Sequence, residues 1–109
     1  MQQDKVLSMI GLAKKAGAVS AGEMKCSDAI KKRKARLVII ADDASDNTKK
    51  SIKNSCAYYN ALYIEYSQKN QLGRMCGYDA VSVLSVNDDN FAKGINRIFE
   101  NIGVRDDIS

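Results

Sequence analysis

Asp42 and Asp43 are the first residues in this chain whose type and placement could do chemistry. They follow the apolar run Leu37–Ala41. A paired carboxylate at the end of a buried strand could hold Mg²⁺ or serve as acid and base, because α/β sheets place ligands beyond the carboxyl ends of their strands. The same pair also reads as a solvated strand-to-helix turn. No phosphate cradle accompanies it. Neither G-x-x-x-x-G-K-S/T nor G-x-G-x-x-G occurs, and Gly11, Gly17 and Gly22 are spaced too widely to make one loop. The chain has no histidine, which removes Ser-His-Asp and Cys-His nucleophilic catalysis. Cys26, Cys56 and Cys76 form no C-x-x-C pair. Odd in number and without histidine, they suggest neither a disulfide framework nor a zinc site, and read as small buried apolar residues. No enzyme is expected, no metal and no cofactor.

Binding chemistry is better represented. Residues 1–36 carry nine Lys/Arg against Asp4, Glu23 and Asp28, while residues 37–109 carry eight against ten acids. A basic part joined to a slightly acidic part suggests a face for something anionic. Lys14 and Lys15 close one predicted helix, and Lys31, Lys32, Arg33, Lys34 and Arg36 close the next. So dense a run cannot sit on a core face. Each cation that meets a phosphate releases counterions and adds salt-dependent affinity. The run also reads as a solvated face that complements helix C-termini. Gly22 opens the second helix, whose free N–H groups suit an anion, with Glu23 competing for that role. Five tyrosines offer stacking surfaces. Most are spaced like core or rim residues, which leaves Tyr78 as the one expected near a site.

The elements that must position these residues alternate. The spacing predicts a helix over 4–16 with Val6, Leu7, Ile10 and Ala13 inward and Gly17 closing it, a brief strand within 18–21, and a helix from Glu23 to Arg33. Leu37–Ala41 predicts a strand buried on both faces. Ser45 predicts the cap of a helix over 46–59 with Ile52, Cys56 and Tyr59 inward. Leu62–Tyr66 alternates, with Leu62, Ile64 and Tyr66 on one face, and predicts a strand near a sheet edge. A short helix over 68–76, a strand over 81–86 and a helix beginning near Asp88 and Asp89 follow, the last with Phe91, Ile95, Ile98, Phe99 and Ile102 as its stripe. Residues 1–105 are read as one domain and Asp106–Ser109 as a loose tail. The expected fold is α/β, a three-layer α/β/α sandwich with a mixed sheet of about four strands and about five helices. No apolar run is long enough to span a membrane, and the N-terminus does not read as a signal peptide, so the cytoplasm is the expected location.

The order of short motifs goes further than composition. L-A-x-K-A-G, a brief strand, a glycine before a basic helix, K-A-R-L-V-I-I-A-D-D-A-S, C-x-Y-Y-N, Q-L-G-x-x-C-G and V-x-V follow one another over about residues 5–102. This pattern resembles the ribosomal protein L-seven-Ae superfamily, most of all its small bacterial branch of the YlxQ and YbxF type. The resemblance implies a non-catalytic sandwich that binds structured RNA, a kink-turn or ribosomal RNA; the ribosome or a translation or transcription factor is a further expected partner, no membrane partner is expected, and the protein is expected to be a monomer. It places recognition in two segments, the start of the second helix (G-x-N-E-x-x-K) and the loop before the last strand. Gly22 falls on the family glycine. Met24 falls where Asn is usual, Lys25 where Glu is usual and Asp28 where Lys is usual, with Lys32 near a position that is often basic. Gly77, Tyr78, Asp79 and Ala80 correspond to the second segment, without the L-E-V-A-A run. Met24 lacks an amide for a guanine edge and Asp28 puts a negative charge toward the RNA. Losses of this kind cost about 1–3 kcal/mol each, and the Lys25 cation offsets part of them. On this reading Lys14, Lys15, Lys25, Lys31 and Lys32 contact phosphates, Gly22 lets the backbone approach, and Tyr78 and Ala80 make stacking or apolar contacts. The alternative is the same fold used as a protein-interaction module, with Met24 as an apolar contact.

Overall fold

The computed structural model describes residues 4–108, with side chains as far as residue 101. Five helices and four strands alternate among them: α1 (Lys5–Lys15), β1 (Val19–Ala21), α2 (Glu23–Lys31), β2 (Leu37–Ile40), α3 (Asp46–Tyr59), β3 (Tyr63–Glu65), α4 (Lys69–Cys76), β4 (Val83–Val86) and α5 (Asp89–Ile108). The sheet is mixed, in the order β1-β4-β2-β3. β4 pairs antiparallel with both β1 and β2, and β2 pairs parallel with β3. α1 packs against α4 and α5, α2 packs against α3, and β4 meets α2 on one side and α5 on the other. This is the three-layer α/β/α sandwich that the alternation of elements predicts.

Local chemistry sets the element ends. The Asp4 carboxylate accepts from the Leu7 N–H at 3.0 Å and starts α1. The Ser45 hydroxyl accepts from the Thr48 N–H at 3.1 Å and starts α3, which ends on Asn60 in the left-handed conformation, one that Asn tolerates better than most residues. The Asp88 carboxylate accepts from the Phe91 N–H at 3.1 Å at the head of α5. A Ser45→Ala variant removes one such cap. It is expected to lose about 1 kcal/mol, read as a fall in Tm of about 4–8 °C in thermal unfolding. An unchanged Tm would mean that solvent satisfies the freed N–H equally well.

The core forms where the continuous apolar run predicts it. All four residues of β2 and of β4 are buried, because helices cover both faces. Two expectations are corrected. α2 ends at Lys31, with Lys32 as its cap and Arg33 at φ +60° outside the helix, two residues earlier than the basic run suggests. β3 spans Tyr63–Glu65, and Leu62 stands 63 % exposed rather than facing inward, since the chain there has only just left α3 and is not yet covered. The helical backbone of α5 runs to Ile108. No proline occurs to stop it, while the inward placement expected for Ile102 and the state of Ser109 lie outside the described residues. β3 does lie at a sheet edge, as its alternation predicts. Among the described residues no helix is long and apolar enough to cross a membrane.

Candidate functional site

The pairing of β1 with β4 brings two distant segments together. Ala21 lies opposite Leu84, and the Gly22 N–H donates to the Val83 carbonyl at 2.9 Å. The turn from β1 into α2 therefore lies beside the chain entering β4. Gly22 has φ +100° and ψ 158°, a combination that only glycine adopts without strain. Its carbonyl accepts from the Cys26 N–H at 2.9 Å, which begins α2. No side chain caps this helix start. Glu23, the acid that could have competed for its N–H groups, accepts from the Thr48 hydroxyl at 3.0 Å and is tethered to the head of α3. Met24 and Lys25 are left outward, and Met24 is 87 % exposed.

The second segment folds back on α4. The Tyr78 N–H donates to the Gly73 carbonyl at 2.8 Å, and the Val81 N–H to the Lys69 carbonyl at 3.0 Å. Gly77, Tyr78, Asp79 and Ala80 are all exposed. What seats them is Gly73, which the sequence pattern alone does not single out. A Cβ there would lie 2.7 Å from both Cα and N of Ala80 and 2.8 Å from the Tyr78 carbonyl oxygen. A signal is present, since glycine inside a helix costs about 1 kcal/mol against alanine and so often marks a close approach. Lys14, in the last turn of α1, places its ammonium 6.0 Å from the centre of the Tyr78 ring, at the outer limit of a cation–π contact. Lys15 is exposed beside it.

Lys31 and Lys32 do not join this cluster. α2 has nine residues, which puts its far end about 13 Å from Gly22. The helix exposes Met24, Lys25, Asp28, Lys31 and Lys32, so these form a stripe running away from the Gly22 turn rather than a patch around it. Asp28 Oδ2 lies 3.0 Å from Lys32 Nζ. The acid in the recognition helix is thus half of an exposed pair worth about 0.3–0.5 kcal/mol, weak enough to open for a ligand. At the far end Arg36 meets Asp89 at 3.4 Å.

The residues considered for catalysis have structural employment. Asp43 Oδ1 accepts from the Lys69 N–H at 2.8 Å and caps α4 from outside it. The Asp42 N–H donates to the Ser67 carbonyl at 2.8 Å. This is the turn reading of the pair, and among the described residues no group of three or more His, Cys, Asp or Glu gathers that could hold a metal ion. All three cysteines are free and buried. Burial, aided by the neighbouring Cys56, pushes the Cys26 thiol up to about 12, and burial pushes Cys56 up to about 11. Neither supplies a thiolate near neutral pH.

The chain is also similar to known proteins in sequence and in structure. Residues 4–96 match the ribosomal protein L7Ae/L30e/S12e/Gadd45 family. The chain is 34 % identical over 98 residues to the RNA-binding protein YlxQ of Enterococcus faecium, covering 90 % of this chain and 94 % of that one. It is 37 % identical over 84 residues to the RNA-binding protein YlxQ of Bacillus subtilis (strain 168), covering 77 % and 84 % respectively. Among solved structures, a Bacillus halodurans protein of unknown function superimposes with a TM-score of 0.85 at 28 % identity, over 90 % of this chain and 99 % of that one. The Giardia lamblia 15.5kD RNA binding protein gives a TM-score of 0.75 at 21 % identity, over 95 % and 92 %, which speaks for the fold.

Proposed function

The chain belongs to the ribosomal protein L7Ae/L30e/S12e/Gadd45 family, and from that premise we propose that it is a non-catalytic RNA-binding protein, monomeric and cytoplasmic, that grips a structured RNA at the Gly22 end of its sheet. The observation that carries this reading is the juxtaposition made by the Gly22–Val83 hydrogen bond. It sets an uncapped helix start beside the exposed loop 77–80. A helix start with free N–H groups suits a phosphate, Lys14, Lys15 and Lys25 supply cations around it, and Tyr78 supplies a ring for an unstacked base. Lys31 and Lys32 extend the grip along α2 to a neighbouring phosphate.

A kink-turn is the RNA class the resemblance implies. The side chains at the helix head change how such an RNA would be held. Met24 offers a thioether where the family offers an amide, so affinity rests more on phosphates and less on base edges. The expected signature is therefore a steep dependence on salt with weak discrimination among structured RNAs, ribosomal fragments included. Gel-shift titration of a kink-turn RNA, the same RNA with its G·A pairs disrupted, and ribosomal RNA fragments tests this. Lys25→Glu should weaken binding about tenfold and flatten the dependence of log K on log salt by about 0.7–0.9 for each phosphate no longer neutralised. No shift with any of these RNAs at low salt would sink the reading. The exposure of Met24 also favours a second contact, with a translation or transcription factor docked on the same helix face. A factor co-purified with the tagged protein that survives ribonuclease and is lost in Met24→Glu would establish it.

A further inference from the structure

The end of the molecule opposite Gly22 carries a second set of groups that the interface above leaves unused. Tyr58 is 80 % exposed and Tyr63 is 42 % exposed, although their spacing in the sequence reads as core or rim. Tyr58 and Tyr59 meet edge to face with ring centres 4.8 Å apart. Arg33 lies over the Tyr59 ring at 5.8 Å, and its guanidinium donates to the Tyr59 carbonyl at 3.5 Å. Lys53 lies over the Tyr63 ring at 5.9 Å. The far ends of α2 and α3 and the start of the edge strand β3 therefore meet in one surface where aromatic rings alternate with cations.

The charges there are not all engaged alike. Lys49 and Lys53 share Glu65, at 3.1 and 2.6 Å, so their charge is largely answered within the protein. Lys32 is held by Asp28 and Arg36 by Asp89. Arg33 and Lys34 are exposed and enter no ion pair among the described residues. Arg33 also stands at φ +60°, just past the end of a helix, where glycine is the usual residue because it alone adopts that conformation without steric cost. A cation stands at a place where a smaller, neutral residue fits the backbone better.

We propose that this surface is a second RNA contact, taking unpaired bases on Tyr58 and Tyr63 and their phosphates on Arg33 and Lys34. It goes beyond the proposed function in assigning a separate ligand, a single-stranded segment, to a separate end of the fold. The charge decides the occupant. Stacking on exposed tyrosine is indifferent to base identity, and a track of unpaired cations beside it complements a polyanion rather than an apolar protein face.

The test is fluorescence anisotropy with a labelled oligouridylate of about 12 nucleotides, a length that a single-strand groove spans, run beside a structured RNA that the Gly22 end binds. Tyr58→Ala is expected to weaken the single strand about fivefold or more while leaving the structured RNA within about twofold. Arg33→Gly is expected to weaken the single strand by a similar factor while raising Tm, because it relieves the left-handed strain; a loss of affinity in a more stable protein is not a folding defect. Full single-strand affinity in both variants overturns the proposal, as does a wild-type protein that binds the structured RNA but not the oligouridylate. Failure of the wild type to bind either RNA overturns the proposed function as well. Concentration-dependent dimerisation in sedimentation, abolished by Tyr63→Ala without change in RNA affinity, would assign the surface to a second copy pairing along β3 and would equally overturn it.

Discussion

Gly73→Ala is expected to lower stability and RNA affinity together. The added methyl would stand 2.7 Å from the backbone of Ala80 and 2.8 Å from the Tyr78 carbonyl. These are backbone atoms with no flexible end to swing aside, so either α4 shifts or the loop lifts off it. Overpacking of this kind costs about 1–3 kcal/mol, and Gly73→Val should sit at or above the upper end. If the loop lifts, the bond from the Tyr78 N–H to the Gly73 carbonyl, 2.8 Å long, opens, and Tyr78 leaves the neighbourhood of Lys14. RNA affinity should then fall by at least about tenfold, the scale of one base losing its stacking partner. Thermal unfolding and gel shift on the same preparations check both parts. A variant with wild-type Tm and wild-type affinity would show that the loop is not seated by this contact.

Leu84→Ala is expected to cost more stability and to spare the site. Leu84 is fully buried in β4, opposite Ala21 on one side and Ile39 on the other. Truncating it opens a cavity in the middle of the sandwich, where covered strands on both sides cannot collapse into the space. Losses of about 2–5 kcal/mol are the rule for such sites. Urea unfolding should show a lower midpoint with an unchanged slope. Leu84 does not reach the surface, so the folded fraction should bind RNA as the wild type does. The contrast with Gly73→Ala is the useful one, since only the glycine couples stability to binding. A loss under about 1 kcal/mol would mean that the sheet and helices repack around the gap.

These two positions also mark what is legible in the sequence. Leu37–Ala41 reads as a strand covered on both sides because five consecutive apolar residues leave no face for water. Ser45 reads as a cap because its hydroxyl is useful only to a free N–H. Both signals are local, and the structure places both as expected. Lys31 and Lys32 group with Lys25 when charge is read along the chain, whereas the length of α2 carries them about 13 Å away from the Gly22 turn. Leu62 misleads for a related reason. Apolar character says that a residue would prefer burial, and the end of an edge strand has nothing to bury it under. Gly73 is one letter of Q-L-G in the sequence; its meaning depends on Ala80, which the chain brings back onto α4 only after the Gly77 turn. Contacts of that kind belong to tertiary geometry, and the one trace they leave in sequence is a small residue where a larger one would suit the helix better.

The strand order carries a consequence for how the protein comes into being. β1 and β2 are made early, yet they never touch in the sheet; the strand between them is β4, the last of the four to be synthesised. During translation the first two strands wait with their inner edges open, and the gap closes only when residues 83–86 clear the exit tunnel. Val83, which holds Gly22, arrives at that same moment. The proposed RNA-binding end is consequently assembled in a single late step, and a nascent chain at any earlier length has the cations of the first 36 residues without the frame that would aim them. Long-range closure of this kind slows folding, and here it also delays the capacity to capture RNA until the fourth strand has emerged.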